Sequence, residues 1–343
     1  MSNAMDAAAL PLVSVVIPCH DAAPFLAQAV ESALAQAGVP VEVVVVDDAS
    51  GDGSVEIARG FGGRIRRIEL ARNGGACAAR NAGAAVARGG ALLFLDADDA
   101  LAPGTLAALA GALAQREGAA AACPWVRLRQ RGGRWVEAPA DRPPPRPADP
   151  LRGWLEDAWV PPCALLWSRA AYETAGGWDP AVHQNQDGDL ALRAFARGVP
   201  LVLARGGCAL YRAHGGARLS ASTDVFSERR LRSQVRVMEK LSALLAEQGR
   251  LAAYAEPIGV IHHQIAQTAF RAGFGEIGRE CLARGRALAG DRAVSRTRAG
   301  RVLARVLGME GKERLVAVLA RLGIATAAQR TLARHRALAG RAG

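Results

Sequence analysis

The segment that decides the fold is ALLFLDADD, residues 91–99. Its apolar run predicts a buried strand, and three carboxylates follow within four residues, at Asp96, Asp98 and Asp99. Strand interiors rarely hold so much negative charge, so we expect the carboxylates just beyond the strand's end. Open α/β sheets bind ligands at the carboxyl ends of their strands. The segment therefore predicts either a site for a hard divalent cation and a diphosphate or a solvated acidic turn that caps the next helix.

Upstream of this segment, strand and helix patterns alternate. We expect strands at residues 13–18, 41–46 and 65–70, and helices at residues 25–37 and 77–86. This alternation predicts a mostly parallel sheet with helices on both faces. The second strand ends in Asp47 and Asp48, which parallel pairing would place at the same edge as the other carboxylates. These two residues are also suited to cap a helix, but two acidic strand ends in one sheet favour a shared ligand.

Downstream, the predicted elements become shorter and then helical. Strand-like runs occur at residues 119–128, 160–167 and 199–203. The proline-rich residues 141–147 cannot form a helix or a central strand because proline lacks an N–H donor, and they predict a mobile loop near the site or a spacer. From Val225 onward we expect helices, divided by Pro257 and several glycines into four to six. One apolar stripe consists of Leu231, Val235, Met238, Leu241 and Leu245.

Length and composition suggest about two domains, since the chain has 343 residues and is 50% hydrophobic. Residues 1–4, Met-Ser-Asn-Ala, look like the remnant of an expression tag. No apolar run reaches the roughly 20 residues of a membrane span. Six scattered cysteines without a Cys-x-x-Cys pair argue against a disulfide framework or a zinc cluster. These features favour a cytoplasmic protein.

The net charge of +11 is concentrated in the C-terminal region. From Asp224 onward there are 22 Lys and Arg against 10 Asp and Glu, whereas the rest of the chain has 21 against 22. This asymmetry predicts a polyanionic partner or an anionic membrane surface, with the protein peripheral at the inner face of the membrane. Alternatively, it reflects the Ala- and Arg-rich helices of a GC-rich genome. Few aromatics accompany the basic residues, which argues against nucleic acid, and a second copy of the chain is another candidate partner.

Two further segments carry titratable groups whose roles the pattern leaves open. Asp187 and Asp189 fall in the first turn of a predicted helix, where the helix dipole favours negative charge. Alternatively, one of them is a base that faces the cation site. His214 is either a structural histidine or a metal ligand.

The ordered set of motifs resembles the family 2 glycosyltransferases, which are inverting nucleotide-sugar enzymes of the GT-A fold. The resemblance covers roughly residues 13–220. Its motifs are VSVVIPCHD at 13–21, VVDDASGDGS at 45–54, NGG at 73–75, ARN at 79–81, FLDADD at 94–99, GGWD at 176–179, QDGDL at 186–190 and YRAH at 211–214. It implies an α/β GT-A domain with a mostly parallel, Rossmann-like sheet over residues 5–223, followed by a basic α-helical region over 224–343.

The resemblance also implies a role for each matching residue. The implied nucleotide-binding residues are Pro18, His20, Asp48, Arg80 and Asp96, with Asp48 hydrogen-bonded to the base, usually uracil. The implied metal ligands are Asp98, Asp96 and His214. Asp187 is the implied catalytic base. The implied acceptor-side residues are Trp178, Asp179 and Gln186.

Two departures from the family pattern bear on these roles. Gln186 stands where the family has a Glu, which removes one charge beside Asp187. His20 and Asp21 stand where the family usually has Tyr-Asn, so we expect the stacking of the base to differ.

The implied reaction is transfer of a sugar, with inversion, from a UDP-sugar to a hydroxyl of a saccharide, lipid-linked or other acceptor in cell-surface polysaccharide or glycolipid synthesis. Asp187 would accept the hydroxyl proton, while Mn2+ or Mg2+ would stabilise the leaving diphosphate. A nucleotidyltransferase would need a glycine-rich loop and a lysine after the first strand, where this chain has Pro18-Cys19-His20-Asp21. A non-catalytic nucleotide-sugar-binding module, or a partner subunit with a basic interaction tail, is the alternative.

Overall fold

The computed structural model of the chain describes residues 10–213, 227–290 and 298–321, with side chains of the last stretch over 302–319. These residues form two compact units. The first contains residues up to Arg129, then Gly133–Pro180, and the chain from Gln186 to the last strand. The second contains Gln130–Gly132, Ala181–Asn185 and the C-terminal helices. The predicted boundary between residues 223 and 224 falls outside the described residues and stays a prediction.

Eleven strands lie within residues 10–213. They are β1 (Val13–Cys19), β2 (Val41–Asp47), β3 (Arg66–Glu69), β4 (Ala91–Phe94), β5 (Ala100–Leu101), β6 (Ala120–Ala122), β7 (Trp125–Arg131), β8 (Arg134–Pro139), β9 (Leu165–Ser168), β10 (Leu201–Leu203) and β11 (Ala209–Ala213). The α-helices of the same range are α1 (Ala23–Leu34), α2 (Ser54–Gly60), α3 (Ala76–Val86), α4 (Thr105–Leu113), α5 (Pro150–Glu156), α6 (Arg169–Ala175) and α7 (Gln186–Ala196).

The larger sheet has the strand order β10-β6-β9-β4-β1-β2-β3. Strand β1 pairs in parallel with both β2 and β4, and Val16 lies opposite Val44 and Phe94. All residues of β1 and β4 are buried, as expected for strands covered by helices on both faces. The parallel pairing places Asp48 and Asp96 at one edge, on either side of the end of β1. The expectation of a mostly parallel α/β sheet is confirmed, with β9 antiparallel to β4 and β6.

Helix α3 packs unusually close to this sheet. A Cβ atom added at Gly83 would overlap Cγ1 of Val16 and lie 3.0 Å from Cγ2 of Val46. Only glycine therefore allows this approach without a shift of the helix or the strands. The close packing matters for the site, because α3 also carries Arg80 and Asn81.

Two predicted strands differ from the structure at prolines. The run at residues 119–128 is divided at Pro124, so that β6 joins the larger sheet and β7 joins a second sheet of order β5-β11-β7-β8. The run at residues 160–167 becomes a strand only at Leu165, after a short 3-10 turn over Pro162–Ala164. In both places proline removes the N–H that a continuous ladder would need.

The second unit is helical, as predicted, with α8 (Glu228–Glu247), α9 (Leu251–Ala272), α10 (Gly275–Ala289) and α11 (Arg298–Arg321). The predicted apolar stripe of α8 is buried. Pro257 does not divide the chain, because α9 continues through it and packs against α8, α10 and α11. A break occurs instead at Gly308, whose φ of 68° interrupts α11. No helix among the described residues is long and apolar enough to cross a membrane.

Candidate functional site

The carboxylate turn, which we define as Asp96, Asp98 and Asp99, follows β4 at the sheet edge. One carboxylate oxygen from each residue lies within 4.8 Å of those of the other two. Asp96 and Asp98 are partly exposed, whereas Asp99 is buried. The turn is closed by the Asp99 N–H, which donates to the Asp96 carbonyl over 2.9 Å. A convergent set of oxygen donors is what Mg2+ and Mn2+ prefer, so the residues present fit such an ion.

Arg212 supports the carboxylate turn from β11. Its backbone N–H donates to Asp99 Oδ1 over 2.8 Å, and its guanidinium donates to the Asp98 carbonyl and to Gln28 Oε1. The side chain is 1% exposed, and its guanidinium carbon lies 5.0 Å from the ring centres of Phe25 and Trp135. Arg212 therefore fixes the turn from behind.

Arg212 belongs to the YRAH motif, residues 211–214, in which only the histidine was predicted to have a role. His214 lies outside the described residues, so its role as a metal ligand stays a prediction. The signal that could have identified Arg212 is its place in a short strand motif that otherwise lacks charge.

Asp48 lies buried after β2 and organises the glycine turn, residues 73–75. Its two carboxylate oxygens accept the backbone N–H groups of Gly74 and Gly75 over 2.7 and 2.8 Å. Gly75 has a φ of 84°, a conformation that glycine adopts at little cost. Asp48 is thus bonded to the loop that begins α3, which sequence reasoning did not foresee. Contact with a nucleotide base stays a prediction.

The loops that follow β1 and β2 are joined by hydrogen bonds. The N–H of Asp21 donates to Ser50 Oγ over 3.1 Å, and Asp21 Oδ1 accepts the Gly51 N–H over 2.8 Å. Among the residues predicted to lie beside the base, Pro18 is buried within β1, whereas His20 is exposed. The His20 Nε2 atom lies 3.6 Å from Asp21 Oδ2. The two loops therefore form one wall at the same sheet edge as Asp48.

Arg80 connects the carboxylate turn with the start of α7. Its Nη2 lies 2.6 Å from Asp96 Oδ1, and its Nη1 donates to Gln186 Oε1 over 3.0 Å. Only 5% of the residue is exposed, and nearby Asp96 favours its charged form, so that the pKa of Arg80 is raised despite its burial. Arg80 therefore brings two segments that the sequence analysis treated separately into one site.

Trp178 lies beneath Arg80 and is only 4% exposed. The guanidinium carbon of Arg80 is 4.3 Å from the Trp178 ring centre, within the range of a cation–π contact. Asn81 holds the backbone of Trp178, donating to its carbonyl over 2.7 Å and accepting its N–H over 3.0 Å. The structure thus shows Trp178 as support for Arg80, while Asp179 beside it is partly buried. Contact of either residue with an acceptor stays a prediction.

Asp187 lies in the first turn of α7 and is partly buried. Its Oδ2 accepts a hydrogen bond from Trp159 Nε1, a contact that sequence reasoning missed. Burial raises the pKa of Asp187, whereas the Trp159 bond, the backbone N–H groups of the helix start and the charge of Arg80 act to lower it. A carboxylate with a raised pKa is a better proton acceptor when it is ionised.

Asp189, two residues further along α7, has a different environment. It is 1% exposed, and its Oδ2 accepts hydrogen bonds from Arg193 Nε and Nη2 over 3.0 and 2.7 Å. The Arg193 guanidinium also donates to the carbonyls of Ala175 and Gly177. Asp189 therefore anchors α7 to the turn after α6, which leaves Asp187 as the better placed of the two for chemistry.

The sheet and its acidic edge define a GT-A fold with a candidate nucleotide-diphosphate site. Residues 14–173 match the sequence profile of the family described as "Glycosyl transferase family 2". Over that segment, which is a little under half of the chain, the chain is similar to this family.

Parts of this chain are similar in sequence to known proteins. The "Succinoglycan biosynthesis protein ExoO" of Rhizobium meliloti (strain 1021) is 45% identical over 98 residues, which is 28% of this chain and 28% of that protein. The "Uncharacterized glycosyltransferase EpsJ" of Bacillus subtilis (strain 168) is 38% identical over 92 residues, or 26% of this chain and 27% of that protein. The alignments thus span less than a third of the length of these two relatives.

One solved structure is similar to a longer part of this chain than these two relatives are. The crystal structure of S. aureus TarS 1-349 in complex with UDP-GlcNAc has a TM-score of 0.65 over 91% of this chain and 92% of that chain, with 18% sequence identity. At this identity the likeness shows the shared fold alone.

Proposed function

We propose that this protein is an inverting glycosyltransferase that moves a sugar from a UDP-sugar to a hydroxyl acceptor. One observation carries the proposal: Arg80 joins Asp96 of the carboxylate turn to Gln186, the neighbour of Asp187. The groups proposed to hold the diphosphate and the group proposed to accept a proton therefore belong to one site. The match of residues 14–173 to glycosyl transferase family 2 supports the same reaction class.

The donor side is formed by Asp48 and the loops after β1 and β2. Asp48 and its glycine turn would meet the base, with His20 exposed on the neighbouring loop. Arg80 and Asp96 would bind the ribose and diphosphate. The complex of TarS with UDP-GlcNAc supports a uridine diphosphate donor, and the relation to ExoO supports a role in polysaccharide synthesis.

A divalent cation, Mn2+ or Mg2+, would be held by Asp98 and Asp96. When bound, it would neutralise charge on the leaving diphosphate. Arg212 keeps Asp98 in place through the Asp98 carbonyl, and Asp99 is held by the Arg212 N–H. The chain thus supplies a turn of carboxylates whose backbone is fixed before any ligand arrives.

Asp187 would act on the acceptor side, to which Trp178, Asp179 and Gln186 would also belong. Its Oδ atoms would accept the proton of the attacking hydroxyl as the bond to the anomeric carbon forms and the diphosphate leaves from the opposite face. Inversion needs no covalent enzyme intermediate, so one base is sufficient.

Binding and turnover test this function separately. Calorimetry with UDP in Mn2+ should show binding that weakens strongly after EDTA treatment or in Asp98→Ala. Transfer from a panel of UDP-sugars should fall by about 100-fold or more in Asp187→Asn, with UDP affinity unchanged. Glu173→Gln, an exposed carboxylate of α6, is the matched control and should behave as wild type.

Two outcomes count against the proposal. UDP binding that is equally tight without metal would argue against a cation at the carboxylate turn. Retention of UDP binding with no transfer from any UDP-sugar would support the alternative, a non-catalytic nucleotide-sugar-binding module or partner subunit.

We also infer that the basic C-terminal region attaches to an anionic membrane surface where a lipid-linked acceptor is available. Its charge excess supports this, and α11 exposes apolar side chains, such as Val302 and Val306, together with Arg305. Flotation with phosphatidylglycerol vesicles should show attachment that weakens as salt rises. If the protein stays unbound at low salt, a dimer through this region becomes the better explanation, which sedimentation would detect.

A further inference from the structure

We propose that Trp159 is a positioning residue for Asp187, holding the carboxylate in one orientation through its indole N–H. The inference rests on the proposed function, because it takes Asp187 as the base. Trp159 lies in the loop between α5 and β9, and its Nε1 donates to Asp187 Oδ2 across 28 residues of sequence. Its backbone N–H donates to the Pro143 carbonyl over 3.1 Å, so the proline-rich segment holds the other side of this residue.

The ring of Trp159 is fixed by two aromatic neighbours. Its centre lies 5.2 Å from that of Trp125 and 5.5 Å from that of Tyr211, with ring planes at 89° and 79°. Trp125 and Tyr211 are themselves 5.9 Å apart at 86°. Such edge-to-face contacts are favourable beyond simple burial. We call Trp125, Trp159 and Tyr211 the aromatic trio.

Arg127 holds the aromatic trio against the proline-rich segment. Its guanidinium carbon lies 5.8 Å from the Trp125 ring centre and 5.3 Å from that of Tyr211. Its Nη2 also donates to both oxygens of Asp141. The indole of Trp159 is therefore oriented by contacts from β7, β11 and the proline-rich segment, and it cannot turn away from Asp187 without breaking them.

This arrangement has a chemical consequence for the base. Burial favours the protonated form of Asp187, and the indole N–H and Arg80 oppose it by stabilising the carboxylate. A general base must be both ionised and directed at the proton that it accepts. Loss of the indole N–H would therefore raise the pKa of Asp187 and release one carboxylate oxygen from its fixed direction.

The aromatic trio contains its own matched control. Trp159→Phe keeps an aromatic ring but removes the N–H that reaches Asp187. Trp125→Phe makes the same chemical change, but among the residues that the structure describes Trp125 Nε1 has no hydrogen-bond partner. Any difference between these two variants therefore reports the hydrogen bond rather than the packing of the trio.

A spectroscopic experiment tests the contact without a substrate. In full-length protein labelled with 15N-tryptophan, the indole resonance missing in Trp159→Phe identifies Trp159. We expect this resonance to shift with pH as Asp187 titrates, in wild type and in Trp125→Phe, and to lose that dependence in Asp187→Asn. A Trp159 resonance that is indifferent to Asp187→Asn would overturn the inference.

Kinetics test the consequence. With UDP-sugars, Mn2+ and a saccharide acceptor panel, we expect kcat of Trp159→Phe to fall about tenfold or more. The acidic limb of its pH profile should move to higher pH, with UDP affinity unchanged, whereas in Trp125→Phe the acidic limb should stay where it is in wild type. If wild type is active and Trp159→Phe has the same kcat and the same acidic limb as wild type, the positioning role is refuted while the proposed function stands. A wild type inactive on every donor refutes the proposed function, and the indole titration then decides on the contact.

Discussion

The Nη2 atom of Arg80 lies 2.6 Å from Oδ1 of Asp96, and this ion pair is where α3 meets the carboxylate turn. The two side chains are unequally buried, with 6% of the Arg80 side chain and 29% of the Asp96 side chain exposed. Arg80 also contacts Gln186 and the Trp178 ring. A single guanidinium therefore connects the carboxylate turn, α7 and the turn after α6.

We expect Arg80→Ala to lower the free energy of unfolding by about 2–3 kcal/mol, because it leaves a partly buried carboxylate without its cation. Arg80→Lys should recover only part of this loss, since one ammonium cannot replace the forked guanidinium. Urea denaturation measures both. The control is Arg64→Ala, which removes a solvent-exposed pair with Glu31 and should cost clearly less, because water screens such pairs. Equal losses at the two sites would contradict the connecting role of Arg80.

A substitution at Gln186 tests how a charge beside Asp187 changes the pKa of Asp187. Gln186→Glu would place a carboxylate against Arg80 and a second negative charge next to Asp187. A like charge disfavours ionisation, so the pKa of Asp187, already raised by burial, should rise further. The acidic limb of the pH–activity profile should move to higher pH. Gln115→Glu, at an exposed position, should leave the limb in place, and a limb that moves to lower pH in Gln186→Glu would refute this account.

The helical unit should lose stability in acid because of His262. Burial lowers the pKa of this histidine from 6.5 to about 4, with Arg284 and His263 acting in the same direction and Glu239 against them. The folded state therefore binds fewer protons than the unfolded state below pH 6.5. The contribution of His262 is complete above that pH and is lost as pH falls toward about 4, by as much as about 3 kcal/mol.

Calorimetry of wild type and His262→Leu between pH 7 and pH 4 checks this expectation. The apolar variant should show a smaller fall in melting temperature with acid, because it has no proton to gain on unfolding. His20→Gln, at an exposed histidine, is the control and should follow wild type. Equal acid sensitivity in all three proteins would contradict a titrating His262.

The order of residues along the chain was sufficient to predict the sheet and its acidic edge. The apolar runs that become β1, β2 and β4 are short, buried and separated by helical patterns, and such runs pair in parallel. Side chains that follow parallel strands meet at one edge, which is why the strand pattern alone places Asp48 and Asp96 together. The helical character of α8, α9, α10 and α11 followed from the 3.6-residue period of their sequences.

The contacts that distant residues make with the site could not be predicted from the sequence, because the tertiary structure decides them. The bonds of Asp48 to the glycine turn, of Arg212 to the carboxylate turn and of Trp159 to Asp187 join residues between 26 and 114 positions apart. A local period or motif reports which face of an element is buried, but it carries no information about the partner that covers that face. Those partners were set by the packing of whole elements, in which Pro124 separates β6 from β7 and Gly83 lets α3 approach the sheet.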